Sequence, residues 1–159
     1  MAQVVVADSS VLIALAQIGQ LPFLEGLYAD VVIPPAVQSE VAPSLPKLPP
    51  WIQTRALQQS SNSRVAEAAL DAGEIEAIGL ALETRAEWVV LDDLEARRLA
   101  KDLGLAVVGT AGVLFAAKQR GFVPAVRLPL DALRAAGFRL RKDVYEEILK
   151  VAGEMEPEV

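Results

Sequence analysis

The chain contains no cysteine and no histidine. The first absence removes disulfides, thiolate zinc sites and cysteine nucleophiles together. The second removes a Ser-His-Asp triad and any imidazole base or metal ligand. Aromatic residues make up only 5% of the chain, so a core has to be built mainly from Ala, Val, Leu and Ile. No apolar run approaches the ~18 residues a membrane span needs, and no basic stretch precedes an apolar one near Met1, as a secretory leader would require. Those absences predict a soluble, cytoplasmic protein without a membrane anchor. Positive charge is scarce as well. The net charge is −6, whereas a generic nucleic-acid binder is basic. Carboxylate, hydroxyl, amine and backbone chemistry remain.

What is there suits one domain. The 159 residues are 53% apolar, with no internal repeat or low-complexity tract, and the expectation is a single unit over 1–159. The Val-rich run from Gln3 to Ala7 reads as a strand buried on both faces, ending at Asp8. Further strands are expected over 30–33, 88–91 and 105–108, with a short edge strand within 51–57. Helices are expected over 11–16, 21–28, 36–41 and 64–72, then from Glu74 to about Leu82, and over 95–103, 111–120, 124–136 and 141–152. Residues 43–50 carry four prolines and read as a connection; 58–63 reads as a turn. Strands alternating with helices imply an α/β fold with a mostly parallel sheet of four to five strands and right-handed crossovers.

Three of the four buried strands end at a polar group of catalytic type: Asp8, Asp92-Asp93 and Thr110. In open parallel sheets, ligands bind beyond the carboxyl ends of the strands, so acids there converge although ~80 residues separate them in sequence. Converging carboxylates repel unless paired, and no Lys or Arg lies close in sequence to Asp8 or Glu40. A divalent cation is the economical counter-charge. Oxygen-only ligands point to Mg²⁺ or Mn²⁺ and away from zinc. Each acid also has a plainer reading. Asp8, Asp92-Asp93 and Thr110 could cap the helices that follow, Glu74 could sit at a helix start for the dipole alone, and Glu40 could face solvent. Residues 117–142 hold seven basic side chains against one acid, Asp131, which is either a nucleic-acid face or a solvated helical one.

Five segments, in order, resemble the motifs of PIN domains: Val4-Val5-Val6-Ala7-Asp8-Ser9-Ser10, Ile33-Pro34-Pro35-Ala36-Val37-Gln38-Ser39-Glu40, Ala72-Gly73-Glu74-Ile75-Glu76-Ala77, Val90-Leu91-Asp92-Asp93-Leu94-Glu95-Ala96-Arg97 and Gly109-Thr110-Ala111-Gly112-Val113-Leu114. The third and fourth are similar to a prokaryotic subgroup with a Gly-Glu third motif and an Asp-Asp fourth. Gly137-Phe138-Arg139-Leu140 resembles its tail, which makes 124–159 a C-terminal helical extension. The resemblance implies a three-layer α/β/α PIN-like fold and a Mg²⁺- or Mn²⁺-dependent ribonuclease, often the toxin of a toxin–antitoxin pair, dimeric, with an antitoxin as partner. It places the catalytic, metal-binding acids on Asp8, Glu40, Glu74 and on Asp92 or Asp93, with Ser10 and Thr110 as supporting hydroxyls. The family more often has Asp in the third place, so Glu74 departs from the commonest pattern.

On that reading the ion activates a water without a histidine base, and RNA enters beside Arg97, Arg98 and the basic segment that includes Lys118 and Arg120. The alternative is a PIN-like protein with weak or no nuclease activity that acts by binding nucleic acid or a protein partner. A phospho-acceptor domain is the remaining rival, but the acid pair of a receiver follows its first strand, and here Asp92-Asp93 follows a late one.

Overall fold

A computed structural model describes residues 4–59 and 62–155. The expected strand residue Gln3, residues 60 and 61 of the expected turn, and 156–159 of the expected extension lie outside that range. The first strand, β1 (Val5–Ala7), leads into α1 (Ser9–Gln17) and α2 (Pro22–Tyr28). Next come β2 (Val31–Ile33), α3 (Pro35–Val41), β3 (Ile52–Thr54), α4 (Ser63–Glu67) and α5 (Ala72–Thr84). After them follow β4 (Trp88–Val90), α6 (Leu94–Asp102), β5 (Val107–Val108), α7 (Thr110–Gln119), α8 (Arg127–Ala135) and α9 (Lys142–Val151).

The five strands form one sheet in the order β3-β2-β1-β4-β5. Every pairing is parallel, with Val5 opposite both Val31 and Trp88, so "mostly parallel" becomes entirely parallel. The strands are short because the chain leaves the sheet as soon as the valines end. Val5, Val6, Val31, Val32, Val89 and Val90 are all buried, as expected of strands covered by helices on both faces. In β3 only Ile52 is buried, in keeping with its place at the edge.

Helices flank the sheet. α5 packs on β1 and β4, and α1 packs against α3, α7 and α8. The core between them is aliphatic: Leu12, Leu15, Ile33, Ile78, Leu80, Leu91, Leu114 and Leu130 are fully buried. The last three helices are tied by polar contacts. Glu154 accepts from Lys118 Nζ at 2.8 Å and from the backbone N–H of Val126 and Arg127 at 2.6 and 3.0 Å. The Tyr145 hydroxyl donates to Asp131 at 2.6 Å.

Several boundaries differ from expectation: the strand expected over 105–108 is confined to Val107–Val108, the helix expected over 124–136 starts at Arg127, and two further differences bear on the site. The helix expected over 64–72 stops at Glu67, and Ala68 is extended. The longer helix begins before Glu74, with Asp71 as its N-cap. The Ala-, Glu- and Leu-rich stretch has helical propensity throughout, but the capping group of α5 claims Asp71 and forces a break ahead of it.

Candidate metal centre

Asp8 follows the last residue of the central strand. Its backbone N–H donates to Val90 O at 2.9 Å, extending the β1–β4 ladder by one step. That bond fixes where the side chain emerges. Asp8 occupies the N-cap position of α1, yet its side chain makes no capping hydrogen bond. The capping explanation therefore does not apply to it. The residue is 3% exposed, and its Oδ1 is buried without a hydrogen-bond partner. Burial drives its pKa from 3.8 up to about 7; the Ser9 N–H pulls the other way, and the charges of Asp71, Glu40 and Asp92 raise it further.

Glu40 projects from the end of α3 and is exposed. Its Oε2 accepts from Ser9 Oγ at 2.6 Å. Its Oε1 lies 2.1 Å from where a Cβ on Gly73 would stand, so α3 and α5 approach across the carboxylate itself. Of the two serines that open α1, Ser9 and not the exposed Ser10 is thus in contact with an acid of the set.

Asp71 and Glu74 form a capping box at the start of α5. The Glu74 N–H donates to Asp71 Oδ1 at 2.8 Å, and the Asp71 N–H donates to Glu74 Oε1 at 3.1 Å. Glu74 is buried. Burial raises its pKa from 4.5 to about 7, its bond to the Asp71 N–H opposes that, and the charges of Asp71, Asp93 and Asp8 add to it. Asp71 was not among the expected site residues. The spacing Asp71-Ala72-Gly73-Glu74 before an apolar run is the signal that marks it.

Asp92 leaves the sheet just after β4 and is held at both oxygens by one residue. Thr110 donates its backbone N–H to Oδ1 at 2.8 Å and its Oγ1 hydrogen to Oδ2 at 2.6 Å. Thr110 is fully buried at the first position of α7. Asp93 caps α6, its Oδ2 accepting from the Ala96 N–H at 2.9 Å. The pair divides its influence: Asp92 repels Asp8, whereas Asp93 repels Glu74.

Six acids therefore act on one another at the carboxyl end of β1 and β4. They are gathered without being closed: among the described residues no three form a ready-made metal cage. Five of them instead hold a local donor, which is how like charges tolerate each other without a counter-ion. Asp8 alone has a buried oxygen with nothing to bind. An all-oxygen donor set around such an atom fits a hard cation that keeps much of its water shell, as Mg²⁺ does.

The expected basic residues separate. Arg97, in the first turn of α6, brings its Nη1 to 2.6 Å from the Cβ position of Gly109, beside Asp92 Oδ1 at 2.8 Å from the same point. Arg98 is exposed, pairs with Glu95 at 3.2 Å and borders a different groove. Lys118 is bound to Glu154 and to the Ala152 carbonyl. At 1.5 Å per helical residue, Lys118 and Arg120 lie about 12 and 15 Å along α7 from Thr110. They sit toward the opposite end of the sheet from the acids, and Arg120 there stacks over Phe122.

A family model for DUF3368, a PIN domain, matches residues 4–154. The chain belongs to the PIN-domain family. PIN domains are generally metal-dependent nucleases. Among solved structures, this PIN domain is similar to a PilT N-terminus domain protein, SSO1118, from the hyperthermophilic archaeon Sulfolobus solfataricus P2. The identity is 19%, the match covers 72% of this chain and 93% of that one, and the TM-score is 0.56; a likeness at that identity speaks to fold. No curated protein matches. No helix among the described residues is long and apolar enough to cross a membrane.

Proposed function

We propose that this PIN domain is a ribonuclease that hydrolyses RNA phosphodiester bonds with Mg²⁺ or Mn²⁺ held around Asp8. The observation that carries the reading is the buried, unpartnered Oδ1 of Asp8 at the end of the central strand, among five other acids. A divalent ion supplies the missing counter-charge and lowers the pKa of a bound water toward neutrality. Asp8 anchors the ion. Glu40, Glu74 and Asp92 complete its surroundings, directly or through waters, and Asp71 and Asp93 add negative charge at the rim. Ser9 orients Glu40, and Thr110 fixes the plane of the Asp92 carboxylate. Arg97, beside Asp92, faces the phosphate to be cut. The toxin role, the homodimer and the antitoxin partner rest on the resemblance alone and belong to the same proposal.

The test is Mn²⁺-dependent cleavage of a mixed RNA substrate by the wild-type chain and by Asp8→Asn, together with Mn²⁺ binding by calorimetry. The expected result is loss of both in the variant. Wild-type protein that neither binds Mn²⁺ nor cuts RNA would favour a non-cutting member that works by binding.

A further inference from the structure

Next to Asp92 a cleft of about 520 Å³ opens between the end of β5, the first turn of α7 and the segment joining α8 to α9. That is within the size range of small-ligand sites, ~300–1,000 Å³. Its walls carry Asp92 with Gly109, Arg97 from α6, and Phe138, Arg139 and Arg141 from the joining segment. The joining segment is set by the way α8 ends. Gly137 has φ +95°, its N–H donates to Arg134 O at 3.1 Å, and the Phe138 N–H donates to Leu133 O at 2.9 Å. This is the Schellman arrangement, and it turns Phe138 and Arg139 toward the cleft in a fixed direction. Phe138 is half-buried and Arg139 exposed. Arg141 is engaged by Asp143 through two bonds of 3.1 and 2.7 Å. No acid among the described residues is within ion-pair distance of Arg97 or Arg139.

In an acidic chain, guanidinium groups that line one cleft together with an aromatic ring, beside an acid of a carboxylate centre, mark the path of an anionic, ring-bearing ligand. The first turn of α7 adds its positive dipole end to the same cleft. Guanidinium forks suit phosphate, and an aromatic ring suits an unstacked base. We propose that this cleft is a nucleotide subsite for single-stranded RNA, adjoining the bond to be cut. Arg97 and Arg139 hold phosphates, and Phe138 takes the base of the neighbouring nucleotide. The assignment rests on the nuclease reading for its substrate, but its test does not need cleavage.

The experiment is fluorescence anisotropy of a short fluorescein-labelled single-stranded RNA of mixed sequence, titrated with the full chain in EDTA. Thermal melts check that each variant folds. Phe138→Ala is expected to weaken binding roughly five- to a hundredfold, with Phe138→Tyr near wild type. Arg139→Ala is expected to lower the slope of log K against log salt by about 0.7, the share of one single-strand phosphate contact. Arg98→Ala, outside the cleft, should leave both quantities unchanged. Unaltered binding in folded Phe138→Ala and Arg139→Ala overturns the subsite. So does an equal loss in Arg98→Ala, which would mean diffuse charge attraction, or equally good competition by an acidic peptide. The subsite stands if these variants lose RNA binding while Asp8→Asn keeps full cleavage; in that case only the catalytic assignment falls.

Discussion

The carboxylate of Glu40 fills the space that a side chain on Gly73 would need, its Oε1 2.1 Å from the missing Cβ. Gly73 sits in the first turn of α5, where alanine is ordinarily the better residue, by up to about 1 kcal/mol. Gly73→Ala should therefore leave the melting temperature close to wild type while pushing Glu40 away from Ser9. Metal-dependent cleavage should fall at least tenfold. A fully active Gly73→Ala protein would show that the position of Glu40 does not matter.

The acids set a pH dependence whose sign can be worked out. Burial raises Asp8 from 3.8 and Glu74 from 4.5, each to about 7. The folded protein then holds these protons more tightly than the unfolded chain. Their favourable contribution is complete below about pH 4 and is lost as pH rises through about 7. In EDTA the melting temperature should decline between pH 5 and pH 8. Asp8→Asn should remove one of the two contributions and flatten the decline, and Mn²⁺ should restore wild-type stability most at the alkaline end. Calorimetric melts across that range check all three.

Glu154 titrates with the opposite sign. Burial acts against its charged form, but the bonds from Lys118 and from the Val126 and Arg127 N–H groups outweigh it and hold the carboxyl below its usual range. Its contribution is present above the unfolded pKa and is lost as pH falls through the folded value. Glu154→Gln should cost on the order of 2 kcal/mol, as expected for hydrogen bonds to a charged, partly covered group. It should leave RNA binding unchanged, since Lys118, even when released, lies about 12 Å along α7 from Thr110 and away from the acids. Urea unfolding and anisotropy on the same sample separate the two outcomes.

Thr110 supplies both donors to Asp92, so its two groups can be separated. Thr110→Val keeps the shape and the N–H but removes the hydroxyl. A lost hydrogen bond to a carboxylate costs about 1.5–3 kcal/mol, and cleavage should drop with it. Thr110→Ser, which keeps the donor, should recover most of both.

Much of this was legible in the amino-acid order, for physical reasons that differ by residue. The valine runs before Asp8 and Asp92 announced strands, and a strand's end is where a parallel sheet presents its ligands. Asp71 was missed because a helical stretch was read straight through it, and only the capping box shows where one helix stops and the next starts. Ser10 stands where the PIN motif places a hydroxyl, but a motif cannot say which serine reaches across to α3, and here Ser9 does. Lys118 and Arg120 looked like substrate contacts because counting charges along a chain ignores that α7 runs away from the site. The cleft around Phe138 depends on a turn after α8 that brings it back beside β5, a long-range closure that periodicity does not report.

The strand order has a temporal consequence. The polypeptide is made from its amino terminus, so Asp8, Glu40, Asp71 and Glu74 emerge well before Asp92. Yet β1 lies between β2 and β4, and the ladder bond from Asp8 to Val90 O waits for β4 to insert. An unfinished chain on the ribosome therefore carries most of the acids but not the wall that presses them together. The repulsion that Asp92 and Asp93 add to Asp8 and Glu74 arises only once β4 has joined β1. If the finished protein cuts RNA as proposed, the growing chain gains that capacity only after Thr110, which holds Asp92, has been made.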